Sequence, residues 1–256
     1  MNNMKTLFIT GGNNGIGYHM AKRWLENGNN ASVLDLNCNY IDTLKAYYPK
    51  SLLTFQSDVC NKKSVIKAIN QTYEHFGSVD YAVHNACLCL FKSFKNHRRE
   101  DFNSVMDVNF YGAVNLAEAV IPIMKAQKQG KVCFTSSGVG VTGYFNLSSY
   151  ASSKGALESF AKCMNIEYSA SGITFHLLHP PLTNTKSSSP LPIPNEFKAS
   201  PEKVANGFIK NLKSTKFIIT PSFGDALSVK ISYLFPIRMG RLLVKLTKQT
   251  VNIPVF

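Results

Sequence analysis

The chain has 256 residues, 45% of them apolar, enough to bury the core of one large α/β domain or two small ones. Lys and Arg outnumber Asp and Glu by 28 to 15, a formal charge of +13. The basic residues are spread along the chain with no Arg-rich tract or nucleic-acid motif, which argues against a nucleic-acid partner. No apolar stretch is long enough to span a bilayer, and no charged-then-apolar leader opens the chain. The six cysteines (Cys38, Cys60, Cys87, Cys89, Cys133 and Cys163) show no CxxC and no zinc-like pairing with His. Reduced thiols, no metal site and a cytoplasmic setting are therefore expected.

Residues 5–10 read as a short buried strand. They run straight into Gly11-Gly12-Asn13-Asn14-Gly15-Ile16-Gly17. A helical pattern follows, with Met20, Ala21, Trp24 and Leu25 apolar, and stops at Asn27-Gly28. A strand, a glycine turn and a helix make half of a dinucleotide-binding unit. The glycines allow the tight turn and the close approach of backbone to a pyrophosphate, whose charge sits on the helix N-terminus. By itself the cluster could also be an ordinary turn.

Residues 31–35 read as a second strand ending in Asp35, 24 positions after Gly11. A carboxylate at that spacing suits hydrogen bonding to ribose hydroxyls and repels a 2′-phosphate. No Lys or Arg lies in the glycine loop or directly after Asp35, so NAD is favoured over NADP. The plain alternative is a solvated loop Asp.

Residues 52–56 read as a third strand. A helix over 63–76 follows, with Val65, Ile66, Ile69 and Tyr73 turned inward, then a fourth strand over 79–84. Residues 99–127 carry a long helical pattern that Pro122 should kink or shorten. Residues 130–137 read as a strand emptying into a Ser/Gly loop, with Ser137 thirteen positions before Tyr150. In a doubly wound sheet, ligands bind at the carboxyl ends of the strands, where a serine can hydrogen-bond a substrate oxygen.

A helix over 148–168 carries Tyr150 and Lys154 on one face, four residues apart. An ammonium held beside a phenol favours the phenolate and lowers its pKa from about 10 toward neutrality. A phenol tuned that way can exchange a proton with a substrate oxygen. The YxxxK spacing alone is weak evidence, and its agreement with the glycine loop, Asp35 and Ser137 gives it weight. A strand over 173–178, a helix over 202–212 and a short strand over 216–220 complete the alternation. The expected fold is a Rossmann-type α/β domain: a doubly wound parallel sheet with helices on both faces and right-handed crossovers.

Two segments read differently. Residues 182–199 hold Ser187-Ser188-Ser189 and prolines at 190, 192 and 194, so no helix runs through them. Such a loop after the sixth strand is either a mobile surface loop or a lid over substrate. Its few charged residues (Lys186, Glu196 and Lys198) favour an apolar or neutral substrate over a polyanion. Residues 223–256 form a basic, apolar extension. If 236–248 are helical, Arg238, Arg241, Lys245 and Lys248 fall on one side and Met239, Leu242, Leu243 and Leu246 on the other. Such a helix packs on its own domain or a second subunit, or lies on an anionic membrane surface. Contact with membrane next to a substrate entrance would suit a lipid-like substrate.

With these motifs in order, the chain resembles a short-chain dehydrogenase/reductase of the single-domain branch over about positions 4 to 220. Thr10 to Gly17 fit the family's TGxxxGxG loop, with Gly11, Asn13, Asn14, Gly15, Ile16 and Gly17 at the cofactor. Asp58-Val59 matches the acidic pair whose carboxylate faces adenine. Asn85-Ala86 matches the core of NNAG, and Asn109 the helix asparagine of a proton relay. Ser137, Tyr150 and Lys154 match the remaining catalytic positions.

The resemblance implies that Tyr150 is the general acid in reduction and the base in oxidation. Lys154 would lower its pKa and bind the nicotinamide ribose. Ser137 would position the substrate oxygen, and Asn109 would hold a water linking Lys154 to solvent. It also implies that the substrate loop is 182–199 and that the chain forms a homodimer or homotetramer through the helices starting near Arg99 and Ser148. Two segments depart from the pattern. His84-Asn85-Ala86-Cys87 replaces NNAG, and Pro180-Pro181-Leu182-Thr183-Asn184-Thr185 replaces the family's PGxxxT-like segment. Pro180, Thr183 and Thr185 remain expected cofactor contacts.

Three functions compete on this evidence. The first is an NAD-dependent oxidoreductase acting on a secondary alcohol or ketone, possession of all four catalytic side chains being its support. The second is a nonenzymatic dinucleotide-binding sensor or scaffold. The third is a sugar-nucleotide epimerase, which needs a larger C-terminal region and a TGxxGxxG loop that this chain lacks.

Overall fold

The structure is a computed structural model that describes residues 4–251 except 190 and 192, with side chains described through residue 247. Pro190 and Pro192 of the loop, and the side chain of Lys248 in the tail, lie outside the described residues. In chain order the elements are β1 (Thr6–Thr10), α1 (Gly15–Glu26), β2 (Asn30–Asp35), α2 (Asn39–Asp42), β3 (Leu52–Gln56), α3 (Lys62–Phe76) and β4 (Tyr81–His84). There follow α4 (Arg99–Met106), α5 (Gly112–Gln127), β5 (Gly130–Thr135), α6 (Gly138–Thr142), α7 (Ser148–Glu167) and β6 (Ile173–Leu178). The chain finishes with α8 (Pro201–Asn211), β7 (Ile218–Ile219), α9 (Phe223–Leu234) and α10 (Pro236–Val251).

The strands form one seven-stranded sheet in the order β3-β2-β1-β4-β5-β6-β7, and every pairing is parallel. The order reverses between β1 and β4, so the crevice of a doubly wound sheet opens there, at the strands' carboxyl ends. Alternate side chains feed two cores. Leu7 and Ile9 of β1, Val33 of β2 and Val83 of β4 pack with α1 and α8 on one face. Phe8, Leu34, Ala82, Val132 and Phe134 pack with α3, α5 and α7 on the other. Each fully buried Leu, Ile, Val or Phe contributes about 1.5–3 kcal/mol, which is what holds the sheet edge in place as a platform.

Three local expectations change. The buried stripe of α3 is Val65, Ala68, Ile69 and Thr72, the i, i+3, i+4, i+7 set, while Tyr73 is exposed at its edge. Thr72 stays inside because its hydroxyl donates to Ala68 O (2.8 Å) and lies at hydrogen-bond distance from Ser32 Oγ (2.9 Å). Pro122 does not shorten α5, which runs on to Gln127 with the proline on its exposed side. The departure from α geometry lies instead at Asp107–Tyr111, a π-helical turn between α4 and α5 that contains Asn109. Such turns free backbone groups from the regular ladder and recur at functional sites.

Candidate active site

The carboxyl ends of the strands open into a cleft of about 700 Å³, within the usual range for small-molecule sites. One end is built by the loop between β1 and α1. Gly11 takes φ +66, and a Cβ there would lie 2.5 Å from the Ala86 backbone. A Cβ on Gly17 would lie 2.2 Å from Gly11 O, so α1 presses directly on the turn. Asn14 caps α1 without a side-chain hydrogen bond, and no acid stands in the first turn. The first N–H groups of the helix are thus left for an outside acceptor, and the dipole favours an anion. Asp35 ends β2 on the cleft wall, where its Oδ2 accepts from Asn13 N at 2.9 Å. A pyrophosphate and a ribose fit this set of donors, glycines and carboxylate.

Fifteen of the predicted positions line this one cleft: Gly11, Asn14, Gly15, Ile16, Asp35, Asp58, Val59, Asn85, Ala86, Ser137, Tyr150, Lys154, Pro180, Thr183 and Thr185. Asn13, Gly17 and Asn109 do not, and each serves behind the wall. Asn13 Oδ1 accepts from Tyr40 N (2.9 Å) and Ile41 N (3.0 Å), which pins the loop to α2. Asn85 Nδ2 donates to Gly11 O at 2.8 Å and so fixes the glycine turn from below.

Asn109 is fully buried, and its amide is engaged on both sides. Oδ1 accepts from Leu88 N at 2.8 Å, while Nδ2 donates to Leu88 O at 2.9 Å and to Ser153 Oγ at 2.9 Å. Ser153 Oγ in turn donates to Tyr150 O at 2.8 Å. The side chain therefore ties the wall after β4 to the helix turn that carries Tyr150, rather than reaching toward Lys154.

Lys154 is buried, and its Nζ donates to Thr135 O at 2.8 Å. It sits 5.7 Å from the Tyr150 ring centroid. Tyr150 keeps part of its surface open to the cleft, and its hydroxyl faces Ser137 and Cys87. The expected lowering of this phenol is not what the structure shows. Burial raises it well above the ordinary tyrosine value, and the Cys87 and Cys89 thiols add to the rise, while a hydrogen bond from Ser137 opposes it. Burial also pushes the Cys89 thiol up to about 12. Tyr150 is thus a protonated phenol at neutral pH in the protein as it stands.

His84 fills the place of the family's first asparagine. It is buried, with Nδ1 3.0 Å from Thr10 Oγ1. Nε2 turns toward the Val108 and Asn109 backbone without closing an aligned hydrogen bond. Burial first, then the Lys154 charge, push it down to about 3, so the imidazole is neutral. Gly112 makes room for the larger ring, since a Cβ there would lie 2.9 Å from His84 Cε1. Beyond Pro181, Thr183 donates to Pro181 O at 2.7 Å, and the Thr185 side chain closes over Gly15, 3.1 Å from where a Cβ would stand. A bridge between Thr183 and Ala199 ties the two ends of the loop.

Sequence reasoning missed a buried polar group beside Tyr150 and Lys154. Glu158 lies on the same face of α7 as Tyr150 and Lys154, four residues on. Ser136 Oγ donates to its Oε1 at 2.7 Å, and Tyr233 OH on α9 donates to its Oε2 at 2.6 Å. His179 Nε2 lies 3.0 Å from Oε1, at ion-pair distance but outside hydrogen-bond alignment. Burial works to raise this carboxyl, yet His179, Tyr233 and Ser136 together hold it below the usual range. The signal available in the sequence was an acid continuing the i, i+4 series from Tyr150. Its partners Tyr233 and His179 come from distant elements and left no local trace.

The family described as short chain dehydrogenase matches residues 5–193. A 3alpha-hydroxysteroid dehydrogenase of Mediterraneibacter gnavus is 30% identical over 240 residues, covering 88% of this chain and 95% of that protein. The 3-dehydrosphinganine reductase TSC10B of Arabidopsis thaliana is 28% identical over 253 residues, covering 90% of this chain and 74% of that protein. Among solved structures, a short-chain dehydrogenase from Streptomyces avermitilis superposes with a TM-score of 0.82 at 20% identity, covering all of both chains.

Proposed function

Because the chain belongs to the short-chain dehydrogenase family and is thus an NAD(P)-dependent oxidoreductase, we propose that it interconverts a secondary alcohol and a ketone. Tyr150 is the proton donor and acceptor, NAD is preferred, and the substrate is apolar and lipid-like. The observation that carries this reading is the meeting of Ser137, Tyr150 and Lys154 in the same cleft as the glycine turn and Asp35. A bound nicotinamide dinucleotide supplies or accepts the hydride.

The chain's own residues manage the proton. In reduction the Tyr150 phenol, protonated at neutral pH, donates to the carbonyl oxygen as that oxygen gains negative charge. Ser137 donates a second hydrogen bond to the same oxygen. The buried Lys154 ammonium stabilises the phenolate that remains, and low local polarity strengthens that attraction. In oxidation the same group, once deprotonated, takes the alcohol proton. Asn109, through Leu88 and Ser153, keeps the wall and the Tyr150 turn in register. Asp35 supports NAD, because a carboxylate at the end of β2 repels a 2′-phosphate.

Two things support an apolar substrate. Val139, Leu147, Leu182, Val229 and Met239 are among the residues lining the cleft, and the names of the two relatives point to a steroid and a sphingoid compound. The test is a panel of short and long-chain secondary alcohols and ketones followed by NADH absorbance. Tyr150→Phe is expected to lower kcat by ~10²–10⁴ and to leave NADH binding, read by fluorescence, unchanged. Full turnover by that variant would refute the assignment.

A further inference from the structure

α9 and α10 pack their inner sides on α6 and contribute Val229, Met239 and Leu243 to the cleft. Their outer sides point elsewhere. At 100° per residue, Phe223, Leu227, Ile231 and Leu234 of α9 fall within an arc of about 80°, and all four are exposed: Phe223 by 86%, Leu227 by 52% and Leu234 by 63%. Helix faces of soluble domains normally place polar residues there, and contiguous apolar patches mark interaction surfaces. Lys230 stands exposed on α9, and Arg238, Arg241 and Lys245 stand exposed on α10, which packs against α9. Between residues 226 and 256 the sequence has five Lys or Arg and no Asp or Glu.

We propose that this face docks on an anionic lipid surface, with the stripe of α9 in the headgroup boundary and the cations of α10 at the phosphates, so that the cleft mouth opens toward the bilayer. Charge decides between occupants. A second copy meeting the same patch would set one run of uncompensated cations against another, which opposes association. An anionic interface satisfies both the apolar stripe and these cations. Delivery of substrate from the bilayer rests on the apolar-substrate reading above, whereas docking can be read with or without turnover.

The test is cosedimentation of the full chain with vesicles of phosphatidylcholine alone and of phosphatidylcholine mixed with phosphatidylglycerol. Binding is expected only to the anionic vesicles and is expected to weaken with salt. Each Lys or Arg near such a surface contributes about fivefold to partitioning, so Arg238→Gln with Arg241→Gln should weaken it about 25-fold. Leu227→Glu with Leu234→Glu should abolish sedimentation while turnover of a short, water-soluble ketone stays unchanged. Failure of the unaltered chain to bind anionic vesicles overturns the proposal, as does equal binding by either double variant. Light scattering that shows a dimer which Leu227→Glu with Leu234→Glu dissociates would assign the face to a second copy instead.

Discussion

Glu158→Gln tests whether the C-terminal helices are fastened to α7 by charge. The carboxylate accepts hydrogen bonds of 2.7 Å from Ser136 and 2.6 Å from Tyr233, and stands 3.0 Å from His179 Nε2. Gln is nearly isosteric but neutral with one acceptor oxygen, so one hydroxyl meets an amide donor and the other keeps only an uncharged acceptor. Hydrogen bonds to charged groups are worth about 1.5–3 kcal/mol each, and with the loss of charge opposite His179 the expected cost is ~2–4 kcal/mol.

For a chain of this size each kcal/mol moves Tm by roughly 2–4 °C, so thermal melts at pH 7 should show a drop of about 5–15 °C. Tyr233→Phe alone should cost less, and the double variant should reveal a coupling of ~1 kcal/mol or more. The pH dependence has a definite sign. A carboxyl held low in the folded state stabilises above its unfolded value, about 4.3, and that stability is lost as pH falls through the folded value. The gap between the two proteins should therefore close in acid. A variant melting within ~1 °C of the original at pH 7, or a gap that persists undiminished in acid, would refute the reasoning.

Asp35→Ala should relax the preference for NAD over NADP by about tenfold or more, since a unit charge near a phosphate is worth at least ~1.4 kcal/mol in a partly buried site; the ratio of kcat/KM for the two cofactors reads it. Lys154 is buried and, among the described residues, forms no ion pair and one hydrogen bond to Thr135 O. Lys154→Met should raise Tm, by ~1–4 kcal/mol of stability, while lowering kcat by about 10²-fold or more, which calorimetry and NADH absorbance would show together.

Much of the architecture was legible because its signals are local. Residues 52–56 and 173–178 become β3 and β6 with the predicted bounds, since short apolar runs flanked by polar or glycine-containing stretches have one sensible reading. The glycine turn and Asp35 were legible through fixed spacing. What escaped depends on tertiary surroundings. The π-turn at Asp107–Tyr111 sits inside an unbroken helical pattern, and nothing in its residues marks the extra backbone group. The raised Tyr150 phenol could not be read from YxxxK, because spacing reports the neighbour and not the burial. α9 was hidden for another reason. Phe223, Leu227, Ile231 and Leu234 are exposed while Val229 lines the cleft, so periodicity alone could not say which face the domain would cover.

Gly240 has a wider consequence. A Cβ at this position would stand 2.5 Å from Thr142 O, so α10 crosses α6 with backbone against backbone. Met239 and Leu243, flanking the crossing, form part of the cleft wall. The position of that stretch of wall is therefore set by the absence of a single methyl group. Any larger residue must push the two backbones apart and carry that wall outward with them. The width of the cleft can thus be altered from a position far along the chain from the glycine turn, Tyr150 and Lys154.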